Sequence, residues 1–388
     1  MAEINNEFMP GEFQIFTKPV GAVCNLRCSY CYYLARKDLY ADGGSFQMSA
    51  ELLEKYISQH IEATTDDVVM FSWHGGEPTL AGLDFYRKAL VLQKKYNSAG
   101  KRIINGIQTN GTLLNDEWCR FLADENFLTG ISMDGPEEYH DRYRKGRDGS
   151  GSFRQVMRGY ELLKKFGITT EVLCVVNSYN GGSPGILYDF FRGIDAKYMT
   201  FLPLVERVPG SETGVSSETV PAVVFGNFLS EIFDRWVEKD AGRIKIQIIE
   251  EALRRAFNQE HTLCIFKVNC GGVPVVEHNG DFYSCDHYVD QDHLLGNINE
   301  GSLAGFLDSE KQQAFGRSKS LSLPRYCREC DVLDMCNGEC PKNRFILTPD
   351  GEPGLNYLCP GYKIFFKHCQ PFIDELRKVW LKRVLGSG

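Results

Sequence analysis

Cys24, Cys28 and Cys31 fall in the run Val23-Cys24-Asn25-Leu26-Arg27-Cys28-Ser29-Tyr30-Cys31, and Tyr32 and Tyr33 follow at once. The spacing is Cys-x3-Cys-x2-Cys with an aromatic residue directly after. Three thiolates are one too few to close a four-iron cluster, which four cysteines normally hold. The run therefore predicts a cluster with one iron open to a substrate or cofactor, much as a catalytic zinc keeps one position free. The competing reading is a zinc knuckle that lacks its fourth ligand.

Eight of the fourteen cysteines lie further on: Cys264-x5-Cys270-x14-Cys285, then Cys327-x2-Cys330-x5-Cys336-x3-Cys340-x18-Cys359. Eight thiolates allow four-fold ligation twice, with no iron left open. Such closed clusters suit electron transfer better than substrate binding. Spacing alone leaves the pairing open. Two structural zinc ribbons are the alternative, for which Cys327-x2-Cys330 by itself would be fair evidence. Cys119, Cys174 and Cys369 remain; they fall in helix or strand patterns and are expected to be buried thiols.

These groups must be positioned by a framework, and the chain has length for one. Its 388 residues are 43% hydrophobic and 24% charged, which suits one large domain and a smaller one. No apolar stretch reaches the ~20 residues that span a bilayer. Met1 to Glu7 is acidic without an apolar core, unlike a signal peptide, so a cytoplasmic protein is expected. In that compartment so many cysteines argue for metal chemistry over disulfides. A formal charge of −8 disfavours a nucleic-acid partner, and nothing points to a membrane.

Apolar strand patterns occur at Phe13–Phe16, Val68–Trp73, Ile103–Gln108, Phe127–Ser132, Thr170–Val176 and Tyr198–Leu202. Amphipathic helix patterns alternate with them at Ala50–Ile61, Leu83–Tyr96, Asp116–Ala123, Phe153–Phe166 and Ile186–Phe191, with Ser49 and Asn115 placed as N-caps. Such alternation predicts parallel strands with crossover helices. Polar and glycine-rich motifs follow the strands directly, where α/β barrels carry their chemistry. Six units suit an open, partial (β/α)6 TIM-like barrel, wide enough at its side for a peptide. Glu206 to Thr219 reads as a long loop. Helical patterns return at Val223–Lys239 and Ile248–Asn258, and a last one runs from Tyr362 to about Val384. The expected domains are 1–235, the barrel, and 236–388, a cysteine-rich domain with a C-terminal helix.

The first cysteine run resembles the signature of the radical S-adenosylmethionine (radical SAM) enzymes. The second set, with Gly280 between Cys270 and Cys285, resembles their SPASM extension, at every spacing. That resemblance implies three [4Fe-4S] clusters. It assigns Cys264, Cys270, Cys285 and Cys340 to one auxiliary cluster and Cys327, Cys330, Cys336 and Cys359 to the other. It also implies a SAM site. Gly75, Gly76 and Glu77 match the Gly-Gly-Glu-Pro motif that binds the SAM amino group; Ser132 and Arg144 match the residues that hold its carboxylate, with Arg142 a near competitor. Val205 stands where relatives place an apolar contact to adenine, and Tyr30 within the cluster loop would touch adenine through its backbone.

Four stretches narrow the resemblance: Trp73-His74-Gly75-Gly76-Glu77-Pro78-Thr79-Leu80-Ala81-Gly82, Gln108-Thr109-Asn110-Gly111-Thr112, Ser284-Cys285-Asp286-His287-Tyr288 and Cys336-Asn337-Gly338-Glu339-Cys340-Pro341-Lys342-Asn343-Arg344-Phe345. Together they resemble the anaerobic sulfatase-maturating enzymes, from about Val20 to Tyr362. The implied activity is oxidation of a cysteine or serine in an unfolded sulfatase, within Cys/Ser-x-Pro/Ala-x-Arg, to Cα-formylglycine. An external donor such as flavodoxin or ferredoxin would reduce the first cluster, and SAM would supply a radical that takes hydrogen from the substrate Cβ. Asp286 would be the base, and an auxiliary cluster would take the remaining electron. An unperturbed Asp near pKa ~3.9 is a poor base for a thiol near ~8.5 and a worse one for an alcohol. Deprotonation is thus expected with or after hydrogen abstraction, and burial is expected to raise the Asp286 pKa. Without the resemblance, Asp286 reads as a turn carboxylate bonded to local backbone. His74, His287 and Tyr33 are not assigned catalytic roles. The alternatives are another SPASM peptide modifier, making crosslinks or epimers, and a non-enzymatic zinc scaffold. The former is disfavoured because only about a dozen residues precede the first strand, too few for a leader-binding segment.

Overall fold

A computed structural model describes residues 13–40 and 46–385. In chain order the elements that position the motifs are β1 (Phe16–Thr17), α1 (Ala50–Ala63), β2 (Val68–Trp73), α2 (Leu83–Tyr96), β3 (Arg102–Thr109), α3 (Asp116–Asp124), β4 (Leu128–Ser132), α4 (Glu137–Tyr143), α5 (Phe153–Lys165), β5 (Thr170–Val176), α6 (Pro184–Gly193), β6 (Tyr198–Pro203), α7 (Ala222–Lys239), β7 (Lys245–Ile246), α8 (Gln247–Arg254), β8 (Val275–Val276), β9 (Asp281–Tyr283) and β10 (Leu294–Asn297). The strands β1 to β6, each with a helix after it, are the six βα units of the expected partial barrel. No helix among the described residues is long and apolar enough to cross a membrane.

The described chain packs as two compact units that interleave along the sequence. Residues 269–318 belong with those up to 131 and with 145–169, while 132–144, 170–268 and 319 onward form the other unit. A single cut at 235/236 therefore does not follow the packing. The reason is strand pairing: β8 lies parallel to β1, with Phe16 beside Val275, so part of the expected second domain extends the first sheet.

In the first unit the strand order is β10-β9-β8-β1-β2-β3-β4. The β1, β2, β3 and β4 pairings are parallel, and β9 runs antiparallel to β8 and β10. Tyr56, Phe71, Trp73 and Tyr86 are fully buried between this sheet and α1 and α2. The Trp73 indole donates to Asn105 Oδ1 at 3.0 Å, so its one polar atom is satisfied inside the core. Ser49 caps α1 by accepting from Leu52 N, and Asn115 caps α3 by accepting from Trp118 N, as their types and positions predict.

In the second unit β5, β6 and β7 pair in parallel. The burial of β5 alternates strictly, with Val172, Cys174 and Val176 inside. Helix α7 packs on the terminal helix Cys359–Leu385 through two glycines. A Cβ on Gly361 would meet Ala222 O at 2.1 Å, and one on Gly226 would meet Gly361 O at 2.5 Å. The terminal helix starts at Cys359, three residues before the periodic pattern does, because Pro360 fits a first turn whose N–H groups need no partner. The expected loop from Glu206 to Thr219 has no helix or strand beyond an isolated bridge between Arg207 and Val215. Helix α4 was not visible as a pattern. Its sequence, Glu-Glu-Tyr-His-Asp-Arg-Tyr, buries only His140 and Tyr143.

Candidate active site and cluster centres

The three-cysteine loop follows β1 and is fastened to the loop after β2. Gly76 N donates to Gly21 O at 2.8 Å and Glu77 N to Val23 O at 2.9 Å. A Cβ on Gly76 would meet Val23 O at 2.1 Å, so this glycine serves close packing of loop on loop. Glu77 is fully buried. Its Oε1 accepts from Thr79 N, Thr79 Oγ1 and Thr109 Oγ1 at 3.1, 2.6 and 2.7 Å, and its Oε2 accepts from Asn110 N at 2.7 Å. Burial pushes the carboxyl upward against these four bonds. The Glu77 carboxylate thus positions the loops after β2 and β3.

Asn110 carries the link onward. Its amide donates to Asn25 Oδ1 at 2.9 Å and reaches Cys24 Sγ at 3.7 Å, while Asn25 donates to Thr112 Oγ1 at 2.8 Å. The Gln-Thr-Asn-Gly-Thr stretch therefore braces the first cluster ligand. Burial pushes the Cys24 thiol up to about 12, which a bound iron would reverse, since ligation requires the thiolate. Cys28 and Cys31 complete the set, joined by Cys31 N donating to Cys28 O at 3.2 Å, with Tyr30 half-buried between them. Three thiolates in one loop fit a cluster with one iron open.

Asp286 lies in the turn after β9, but its carboxylate does not bond local backbone. It meets two groups from the far N-terminal part of the chain. Lys18 Nζ is 2.6 Å from Oδ1, and Tyr32 Oη donates to Oδ2 at 2.5 Å. The Lys18 side chain is 2% exposed and that of Asp286 8%, so the pair is out of water. Burial pushes the Asp286 carboxyl up, but the Lys18 ammonium, with His287 and the Tyr32 hydroxyl, outweighs it. The net result is a carboxyl held well below the usual carboxylate range, opposite to the expected rise. Lys18 also lies over the Tyr33 ring at 4.3 Å.

Tyr33, buried, gives its hydroxyl to Glu277, so it is a packing and hydrogen-bonding residue. His74 stacks on Phe16 at 3.9 Å, and burial lowers its pKa to about 3, which keeps the ring neutral. The His287 ring lies 5.5 Å from that of Tyr32. Lys18 and Tyr32 are the residues that sequence reasoning missed. Tyr32 was quoted only as part of the cysteine signature, and Lys18 is one lysine beside a two-residue strand.

The second unit carries the other SAM candidates. Asp134, fully buried, accepts from Val175 N at 2.9 Å and from Arg144 Nε at 2.9 Å. That bond fixes a guanidinium whose remaining N–H groups have the fork geometry a carboxylate needs. Arg142, the competitor, is exposed and lies 5.3 Å from the Tyr179 ring. Ser132 ends β4. Val205 is 8% exposed, and its carbonyl accepts from Lys342 Nζ at 3.3 Å.

Four of the downstream cysteines gather in that same unit. Cys327, Cys330, Cys336 and Cys359 line one small cavity. Tyr362 lines it too, and its buried hydroxyl has no partner among the described residues. Four thiols and an unsatisfied O–H around one cavity fit a closed cluster whose sulfides accept hydrogen bonds. The other four are divided: Cys264 and Cys340 lie in the second unit, Cys270 and Cys285 in the first. Lys319, fully buried, donates to the carbonyls of Cys264, Ile265 and Lys267 at 2.8, 2.8 and 2.5 Å. Gln312 Nε2 donates to Gly271 O and Ser284 O, tying together the segments that carry Cys270 and Cys285. Cys119, Cys174 and Cys369 are buried, as their patterns predict.

A sequence model of the radical SAM superfamily matches residues 19–182, and one for an iron–sulfur cluster-binding domain, SPASM, matches residues 270–331. The serine-type anaerobic sulfatase-maturating enzyme of Bacteroides thetaiotaomicron is 48% identical over 94% of this chain and 91% of its own. The cysteine-type enzyme of Clostridium perfringens is 33% identical over 92% of this chain and 96% of its own. The solved structure of native anSMEcpe with bound AdoMet superposes with a TM-score of 0.85 at 32% identity, covering 94% of this chain and 99% of that one.

Proposed function

The chain belongs to the anaerobic sulfatase-maturating enzymes of the radical SAM superfamily, and from that premise we propose how its own residues divide the work. The reaction oxidises a cysteine or serine of an unfolded sulfatase to Cα-formylglycine. When bound, SAM and the three clusters supply the radical that removes hydrogen from the substrate Cβ and the acceptor for the remaining electron.

Asp286 receives the thiol or hydroxyl proton of the substrate. The observation that carries this role is its buried carboxylate, held by Lys18 and Tyr32 rather than by local backbone. Cys24, Cys28 and Cys31 hold the first cluster, with Gly75, Gly76, Glu77, Ser132, Arg144, Val205 and Tyr30 forming the SAM site. Within that set Glu77 shapes the loops and Asp134 orients Arg144. Cys264, Cys270, Cys285 and Cys340 hold one auxiliary cluster; Cys327, Cys330, Cys336 and Cys359 hold the other. By function rather than by packing, residues 1–235 carry the radical-generating groups and residues 236–388 the auxiliary-cluster ligands. The enzyme works in the cytoplasm, where flavodoxin or ferredoxin supplies the electron.

The preferred substrate residue is serine, a reading supported by the 48% identity to a serine-type enzyme against 33% to a cysteine-type one. The test is anaerobic incubation with SAM, a reductant and paired peptides carrying Ser-x-Pro-x-Arg and Cys-x-Pro-x-Arg. Mass spectrometry would show a loss of ~2 Da from the serine peptide, formed faster than the ~18 Da loss from the cysteine peptide. SAM cleavage with neither loss would turn the reading to a crosslinking or epimerising peptide modifier.

A further inference from the structure

We propose that a basic surface in the first unit, beside the three-cysteine loop, is the docking site for a small acidic electron-carrier protein. The proposal rests on the functional reading above only in needing an electron delivered to that loop.

The chain as a whole is acidic, with a formal charge of −8. Against that background Arg27, Lys145, Arg147 and Arg158 are exposed and lie on connected backbone. Arg27 N donates to Lys145 O at 2.7 Å, and Leu26 bridges Gly146. Arg147 Nη2 donates to Cys24 O at 2.6 Å. Arg158 Nη2 donates to Thr112 O at 2.8 Å, and Thr112 Oγ1 in turn accepts from Asn25. Arg147 and Arg158 therefore spend these donors on carbonyls, which leaves their charge uncompensated in those bonds. The local carboxylate, Asp148, is turned to Ser150, accepting from its N and Oγ at 3.0 and 2.6 Å.

A cleft beside Arg147 is lined by Asn25, Leu26, Gly146, Asp148 and Gln155 among others. Its wall is thus one residue from the cluster ligand Cys24. Electron transfer falls steeply with distance, so a carrier must dock where the cluster loop meets the surface. Redox encounters use small, transient interfaces, and opposite charge steers them. The substrate motif is a poor occupant, because it carries an arginine of its own. The transfer is balanced simply: the reduced carrier loses one electron, the cluster site gains it, and no bond is made or broken.

The experiment uses the cluster-loaded holoenzyme and a reduced acidic flavodoxin. Binding is measured by titration calorimetry at low and high salt, for wild type and for Lys145→Glu/Arg158→Gln, in which the glutamine keeps an N–H donor beside Thr112 O. Formation of 5′-deoxyadenosine is measured in parallel with flavodoxin and with dithionite. We expect the double variant to bind flavodoxin about tenfold or more weakly at low salt, with the difference shrinking as salt screens the charges. Flavodoxin-driven SAM cleavage should fall in step, and dithionite-driven cleavage should stay at the wild-type rate. Equal binding by the variant and wild type would overturn the proposal. So would an equal loss with both reductants, which would assign the surface to the substrate or to the loop itself. If wild type makes no formylglycine with dithionite, the functional reading fails while the binding result stands.

Discussion

Replacing Lys18 by methionine isolates the electrostatics of the proposed base. The substitution keeps the apolar stem and removes the ammonium 2.6 Å from Asp286 Oδ1. At that distance, with an effective dielectric near 20, the attraction is roughly 6 kcal/mol before compensation. Breaking one buried pair costs about 3–5 kcal/mol in practice. Burial already pushes the Asp286 carboxyl up and is opposed chiefly by Lys18, so removing the ammonium should raise the carboxyl. In wild type the depressed carboxyl stays ionised until pH falls below the usual carboxylate range, and product formation should show no acid limb in the neutral and weakly acidic region. In Lys18→Met the carboxyl titrates higher than in wild type, so the base is lost as pH falls through the weakly acidic region and recovered as pH rises. The assay is the ratio of formylglycine to 5′-deoxyadenosine across that range, with iron content as a control for folding. We expect the ratio to match wild type near neutrality, to fall as pH drops through the weakly acidic region where wild type stays flat, and to be preserved largely in Lys18→Arg. A flat pH profile and a wild-type ratio in Lys18→Met would refute the assignment of Lys18 as the group that holds Asp286 ionised.

Three further outcomes follow from other parts of the molecule. Asp286→Asn should keep about twelve irons per chain and SAM cleavage while losing formylglycine; near wild-type conversion of the peptide would remove Asp286 as the base. Glu77→Gln places an amide where Oε1 and Oε2 accept four bonds, leaving at least one buried donor without an acceptor at a cost of about 1–3 kcal/mol. It should weaken SAM binding and lower the yield of the first cluster, and equilibrium dialysis together with iron analysis would show both. Gly361→Ala inserts a Cβ 2.1 Å from Ala222 O, so thermal unfolding should show a loss of about 1–3 kcal/mol, absent in an exposed control such as Gly193→Ala.

What the sequence made legible follows from how local each signal is. Cluster ligands sit close together in the chain, so the cysteine spacings survive as pattern without any fold. Ser49 and Asn115 announce helix starts because a cap acts over three residues. Arg144 and Arg142 are indistinguishable by sequence, and only the buried Asp134 separates them. Lys18 and Tyr32 belong to the N-terminal strand and loop, and they acquire meaning only when pairing of β1 with β8 brings in the segment that carries Asp286. The strands β7 to β10 have two to four residues each, too short for periodicity to register. Glu77 shows the converse: its motif is visible in the sequence, while the four bonds that its carboxylate accepts from neighbouring loops are visible only in the fold.

With Asp286 as the proposed base, its depressed carboxyl also sets an order of events. A base held ionised by Lys18 is always ready and always weak, since the interaction that keeps it charged also lowers its proton affinity. Against a resting thiol near ~8.5, or an alcohol far above it, such a group removes almost nothing. Once the Cβ–H bond is broken, the neighbouring S–H or O–H is far more acidic, and the same weak base suffices. Proton transfer is thereby confined to substrate that has already lost hydrogen. A carboxyl raised by burial alone would be protonated more of the time and would then leave the radical without an acceptor for its proton. The buried lysine is the better solution for an enzyme that consumes one SAM for each hydrogen it removes, because a stalled radical wastes that SAM, whereas an idle carboxylate wastes nothing.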